Sequence, residues 1–527
     1  MRRFLLPLLL ACALLPLLPL APLAAAEPVQ EARFVLELDL EERRLRGEGT
    51  LRVFNRGAKP QARVPLVLYP ARFRSLDPEI TDLTFRRYYP RWFDPGDMKL
   101  TRAALGGAPL KRTDATPSAK TPPGTALWLE LPQPLAPGAS LDLELAFELE
   151  IPARLGSFGE DRGRVVLDGG FLPYVPVAGF RSPPARTRFA LELRSQSKTS
   201  LAVLGPRRLP RGKGKAAWEG FAPVLAAGPD LETLVEHEAR GEPPIVVVAE
   251  EGLRKRSQRM LRVAREANDV LRRFLPDTAP QGRLLLVQAP LRDRFTQVTD
   301  EVVLVSDRLF RLFPILRPFH EVDLGRAVIQ SLVRQRLARL ELGADRDWLA
   351  EGIAWWVTRE WATGRTGLKG NQIRRGLDFF SFIPAIDQLV RAPRFIGSDL
   401  FYGNFYEPQD AVPDAFPRAL SRRARGRVPI EKLRDKIGDE PLEAYVRALL
   451  SDEAPDPRQR AAQLTGEDLG PFFALWLEGG GLRTPRQDLG LEVETIRELP
   501  EGGRRVRVTI RREDADPRIG QVGEPVS

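Results

Sequence analysis

A chain of 527 residues exceeds what one hydrophobic core organises, so two to four domains are expected. It is 43% hydrophobic and 28% charged, and its 48 prolines and 43 glycines are spread along the length, which excludes a fibrous repeat and a long low-complexity tract. The net charge of +10 is a mild excess over such a length, and the basic runs carry no interleaved aromatics, so nucleic acid is not an expected partner.

The chain opens with Arg2 and Arg3, an apolar run from Phe4 to Leu23, then Ala24-Ala25-Ala26 and the polar Glu27. That order reads as a signal peptide, residues 1–26, and predicts an exported, periplasmic or secreted protein. Pro7, Pro16, Pro19 and Pro22 would break a retained membrane helix, and no other apolar stretch reaches spanning length. The single cysteine, Cys12, follows Leu9-Leu10-Ala11, so a lipoprotein anchored there is the alternative; the residues after it, however, stay apolar to Leu23. With cleavage after Ala26 the mature chain has no cysteine, which excludes disulfides and thiol catalysis. The basic run from Arg422 to Arg427 reads as a solvated loop or helix end.

Residues 27–240 read as a β-domain. Phe34, Leu36, Leu38 and Leu40 alternate with polar or outward positions, and Leu141 to Ile151 repeats the same period after the turn at Ala136-Pro137-Gly138. From residue 241 the pattern changes. Ile245–Val248, Leu284–Val287 and Val302–Val305 are short buried strands, and residues 253–275, 321–340 and 347–362 have helical spacing. Further helices are predicted over Glu431–Leu450 and Leu469–Leu477. After Gly479-Gly480-Gly481 alternation returns, so 241–480 forms an α/β-to-helical domain and 481–527 the start of a β-sandwich, short or truncated, with an open sheet edge. The fold class is therefore α+β and multidomain.

Several strings in this order resemble the M1 family of metallopeptidases, the membrane alanyl aminopeptidase-like gluzincins. They are Leu45-Arg46-Gly47 with Leu51-Arg52-Val53-Phe54-Asn55, the turn at 135–138 leading to Ile151-Pro152, and Trp348-Leu349-Ala350-Glu351-Gly352-Ile353-Ala354, close to WLxEGxA. Thr465-Gly466-Glu467-Asp468-Leu469 with Phe472-Phe473 and Trp476 resembles TGxDLxxFFxxW. The resemblance implies an N-terminal all-β saddle, a thermolysin-like peptidase domain and a C-terminal β-sandwich. It also implies zinc, held by two histidines of HExxH and by a glutamate on the next helix, here Glu351.

The ligands themselves are missing. The apolar rhythm aligns Gln330-Ser331-Leu332-Val333-Arg334 with HExxH, though the separation from Glu351 is then somewhat shorter than the family's. No register restores the motif, because the chain has only His237 and His320, far apart. A guanidinium does not ligate zinc at neutral pH, and a serine cannot replace the glutamate base. Gln330, Ser331, Arg334 and Glu351 are accordingly vestigial site positions, with no catalytic or metal residues and no cofactor expected. The expected function is an inactive pseudo-peptidase holding a peptide or protein in the retained cleft; the alternatives are an active zinc peptidase or a structural envelope scaffold. A hydrolase with another nucleophile is disfavoured, since no G-x-S-x-G occurs. Arg334 is expected to pair with Glu351, His320 to cap or pack at a helix start, and His237 to lie on an exposed interdomain link. Tyr402, Tyr406 and Tyr445 are the candidates for the family's transition-state tyrosine.

Overall fold

In a computed structural model, the described residues are 30–366, 427–472, 489–498 and 504–512, apart from short stretches such as 276–282, 312–316 and 339–344. Residues 1–29 with Cys12, the basic run through residue 426, Tyr402, Tyr406 and residues 513–527 lie outside them.

The N-terminal half is mainly β-structure, with a short 3-10 helix at Tyr69–Arg74: β1 (Gln30–Asp39), β2 (Arg44–Phe54), β3 (Gln61–Val67), β4 (Asp97–Leu105), β5 (Ala108–Pro109), β6 (Arg112–Asp114), β7 (Ala126–Leu135) and β8 (Ser140–Glu150). It continues with β9 (Phe158–Asp161), β10 (Arg164–Asp168), β11 (Thr187–Ser195), β12 (Leu201–Leu204), β13 (Arg207–Pro210), β14 (Lys213–Gly220), β15 (Val224–Gly228) and β16 (Leu231–His237). The largest sheet runs β14-β11-β1-β2-β8-β4-β5, and smaller sheets run β13-β12-β15-β10-β9 and β3-β7-β6. Alternation sets the faces. Phe34, Leu36 and Leu38 of β1 and Leu143, Leu145, Phe147 and Leu149 of β8 enter one core. The opposite face of the large sheet carries cross-strand pairs, among them Arg52–Asp142 at 2.8 Å, Arg46–Glu148 at 3.3 Å and Arg188–Glu31 at 3.3 Å. Each exposed pair adds well under about 1 kcal/mol; together they keep a wide sheet face polar.

The second half begins with β17 (Ile245–Glu250), α1 (Arg254–Arg272), β18 (Leu284–Ala289), β19 (Thr296–Val298), β20 (Val302–Ser306) and α2 (Asp307–Phe310). Then come α3 (Arg317–Leu337), α4 (Asp345–Val357), α5 (Arg359–Thr366), α6 (Arg427–Ile437), α7 (Asp439–Leu450) and α8 (Pro457–Thr465). β17, β18 and β20 are parallel, within a sheet ordered β16-β17-β18-β20-β19 whose end strands run antiparallel. Both faces are covered, which is why these strands read as unbroken apolar runs. Val246, Val248, Leu285, Val287 and Leu304 pack on Val166, Val203 and Ala226 of the β13–β9 sheet. Ile245, Val247, Leu286 and Val303 pack on Met260, Val263 and Ala267 of α1 and on Val328 and Leu332 of α3. β16 pairs with β17, so the strand just before residue 240 belongs to this sheet.

Two predicted helices are each divided. The stretch 347–362 becomes α4 and α5, parted at the buried Thr358, whose hydroxyl donates to the Ala354 carbonyl at 2.8 Å. Glu431–Leu450 is divided at Gly438, which adopts φ +86. β21 (Leu489–Glu498) and β22 (Arg504–Arg512) pair antiparallel with each other, and the rest of the segment where an incomplete sheet is expected lies outside the described residues. The architecture is thus mixed α and β with several separate sheets.

Candidate functional site

Helix α3 is apolar on most sides. Leu324, Ala327, Val328, Ile329, Leu332, Val333 and Leu337 are all buried, because the helix is enclosed by α1, α4 and strands β18 to β20. Its polar residues therefore go inside as well. Ser331 is fully buried, Arg334 is 3% exposed and Gln330 9% exposed. Spaced i, i+4, Gln330 and Arg334 share one face of the helix.

Burying a guanidinium is costly unless it is hydrogen-bonded. Arg334 Nη1 donates to the carbonyl of Val298 at 3.0 Å, tying α3 to the last residue of the edge strand β19. The Gln330 amide nitrogen is buried with no hydrogen-bond partner among the described residues. Glu351 sits half-buried on α4, flanked by the buried Ala350 and Ile353, and α4 packs directly on α3.

The remaining candidates divide. Tyr445 is fully buried on α7, in the core with Leu442, Val446 and Leu449. His320 packs in the first turns of α3, its ring centroid 3.9 Å from that of Phe295 and Nδ1 3.4 Å from Asp323. His237 corrects the expectation of an exposed link: it is the half-buried last residue of β16 and lies opposite Ile245. The strand continues to that point because its pairing with β17 satisfies the backbone.

Sequence reasoning missed the charged cluster beside His320. Glu321 is buried and accepts from Arg365 of α5 at 2.6 Å, with Arg259 of α1 at 3.1 Å, and Arg365 also pairs with Glu266. Burial, then the nearby Arg317, holds the Arg259 guanidinium below its ordinary value. The available signal was the arginine-rich polar face of α1, which sequence alone assigns to solvent.

Among the described residues no group of three or more His, Cys, Asp or Glu side chains stands where it could hold a metal ion. A zinc ion does not fit the donors at positions 330, 331 and 334: an amide, a hydroxyl, and a guanidinium whose fixed positive charge would repel the metal.

No protein-family model matches the chain, and no curated protein matches it. Among solved structures it is similar to an M1 zinc metallopeptidase from Deinococcus radiodurans. A mutant of that enzyme gives a TM-score of 0.48 at 16% identity, over 86% of this chain and 95% of that one. The unmutated form gives 0.47 at 16% identity, over 86% and 94%. A two-domain M1 zinc metallopeptidase mutant bound to L-tryptophan gives 0.45 at 16% identity, over 87% and 94%.

Proposed function

We propose that this chain is an exported pseudo-peptidase of M1 type, which does not hydrolyse peptides through zinc and instead binds an extended peptide, or a segment of a protein partner, beside α3 and α4. The observation carrying the reading is the composition of the buried α3 face. Arg334 brings a permanent cation where the resemblance calls for a histidine, and Gln330 brings an amide with an unused donor. An unpaired buried amide costs about 1–3 kcal/mol, a cost that a peptide carbonyl would remove on binding. The export assignment rests on the leader sequence at residues 1–26.

Two measurements test this. After incubation with excess zinc and gel filtration, elemental analysis should find far less than one zinc per chain, and aminoacyl reporter substrates should release no product. Near-equimolar zinc with chelator-sensitive turnover refutes the pseudo-peptidase. Separately, fluorescence polarisation with labelled mixed-sequence hexapeptides should detect binding that Gln330→Leu weakens up to about tenfold, the worth of one hydrogen bond. If the protein binds no peptide, the peptide-binding reading fails and the structural-scaffold alternative stands.

A further inference from the structure

The N-terminal half carries a concave feature, far in sequence from α3. A cleft of about 530 Å³ is lined by Arg43, Arg91, Trp92, Asp94, Glu160 and Arg162, with Pro90, Ala153 and Asp161 completing it. That volume is in the usual range for ligand pockets. Trp92 is 66% exposed, and it and Leu76 are the large hydrophobic residues left exposed among the described residues.

The indole is held out by its neighbours. Tyr89 is buried, its ring 5.3 Å from both Phe85 and Phe93. The Tyr88 carbonyl accepts from Leu155 N at 2.7 Å, and the Arg154 guanidinium lies 5.1 Å from the centroids of both Tyr88 and Phe73. The next residue but one, Asp94, is fixed by Arg43 and by the Ala153 amide, each at 2.5 Å. A loop anchored on both sides of Trp92 cannot fold the indole back into the core, so the ring is presented as a rigid apolar plate. Arg43 and Arg162 both adopt left-handed backbone, with φ of 50 and 56. They are two of the three non-glycine residues that do so among the described residues. Both stand in tight turns, Arg43 between β1 and β2 and Arg162 in the hairpin between β9 and β10.

The charges select the ligand. Arg43 is neutralised by Asp94, but Arg91 is exposed, and Arg162, 65% exposed in its side chain, comes only within 4.0 Å of Asp161. Glu160 accepts the Gly163 amide through one oxygen. The cleft therefore offers an aromatic plate, two accessible cations and wall carboxylates that accept hydroxyl protons. We propose that it binds an acidic oligosaccharide: a pyranose lays its apolar face on Trp92, its carboxylate meets Arg91 or Arg162, and its hydroxyls donate to Glu160 and Asp161. A nucleic-acid strand would also stack on an indole, and it is one of the outcomes the test distinguishes.

The test is calorimetric titration of the full chain with tetragalacturonate, tetraglucuronate and tetramannuronate, alongside neutral cellotetraose and a tetranucleotide. At least one acidic tetrasaccharide should bind more tightly than cellotetraose. Trp92→Ala should weaken it at least about tenfold while leaving the thermal midpoint unchanged, since the indole is outside the core. Replacing both cations, Arg91→Gln with Arg162→Gln, should remove the preference for the acidic sugars. Binding by none of the three, equal affinity for cellotetraose, tighter binding of the tetranucleotide, or indifference to Trp92→Ala would each overturn the proposal.

Discussion

Replacing Arg334 tests what holds the inner face of α3. The guanidinium is almost wholly buried and donates to the Val298 carbonyl at 3.0 Å. A charged hydrogen bond of this kind is worth about 1.5–3 kcal/mol, and its loss leaves a carbonyl of the edge strand without its donor. We infer that Arg334 also serves as the counter-ion of Glu351; in that case its removal strands a partly buried carboxylate, and the cost rises to about 3–5 kcal/mol. Arg334→Met keeps the aliphatic stem while removing the charge, and so separates packing from electrostatics. Urea denaturation followed by tryptophan fluorescence reads the loss, with Arg46→Ala as a control. Arg46 is 54% exposed in its side chain and should change stability by about 0.5 kcal/mol or less. In a double-mutant cycle with Glu351→Gln, the ion pair should appear as coupling above about 1 kcal/mol. If Arg334→Ala falls at the level of the control, the reasoning about α3 is refuted; if only the coupling vanishes, Glu351 has no part in it.

Gly325 lies inside α3, where alanine would ordinarily gain about 0.5–1 kcal/mol, but a Cβ there would run into the Trp361 indole of α5. Gly325→Ala should therefore lower the denaturation midpoint, and a gain in stability would show that the α3–α5 contact yields easily. Asp39 caps the β1–β2 turn: it accepts the Ser197 hydroxyl at 2.7 Å and the amides of Glu41 and Glu42 at 3.0 and 3.1 Å. The Ser197 hydrogen bond chiefly, and the Glu42 amide next, hold its carboxyl below the usual carboxylate range. Its contribution to stability is present above the unfolded carboxylate value and is lost as pH falls through the lowered one. Asp39→Asn should then flatten the acid limb of a stability–pH profile recorded below about pH 5, and a limb unchanged from the parent refutes the assignment.

What the sequence discloses follows the range of the forces involved. β1 and β8 are legible because one face is wet and the period of two is strict. β17, β18 and β20 are legible for the opposite reason, as apolar runs covered on both faces. The parallel pairing of β1 with β11 is not, since register between strands so distant in the chain leaves no local mark. Sequence reasoning misses both helix breaks: Gly438, at φ +86, is an available signal for one, whereas Thr358 parts α4 from α5 without a glycine or proline, through a hydroxyl bonded back to Ala354. Gln330, Ser331 and Arg334 stand out only against a family string; by periodicity they are ordinary polar positions on an amphipathic helix. Their burial comes from α4 and β19, which approach α3 from elsewhere in the chain. Trp92 is equally mute, because whether a tryptophan in such a run turns in or out depends on how Tyr89 and Phe93 pack.

The α3–α4–α5 assembly is held by contacts among its own side chains. A metal bridging two helices stabilises the folded chain because the unfolded chain lacks the assembled site. Here the same elements are joined by three contacts of different kinds. Ala350 and Ala354 are small and buried, which lets α4 lie close against α3. Gly325 leaves room for Trp361, bringing in α5. Glu321, between Arg259 and Arg365, ties α1, α3 and α5 through charge. Arg334 then extends the joint outward to β19, a strand of three residues whose strand neighbour is β20. Packing supplies most of the stabilisation and the buried charges fix the register, since a shifted helix would leave Glu321 and Arg334 desolvated without their partners. The inner face of α3 carries Gln330, whose amide nitrogen is buried with no hydrogen-bond partner among the described residues.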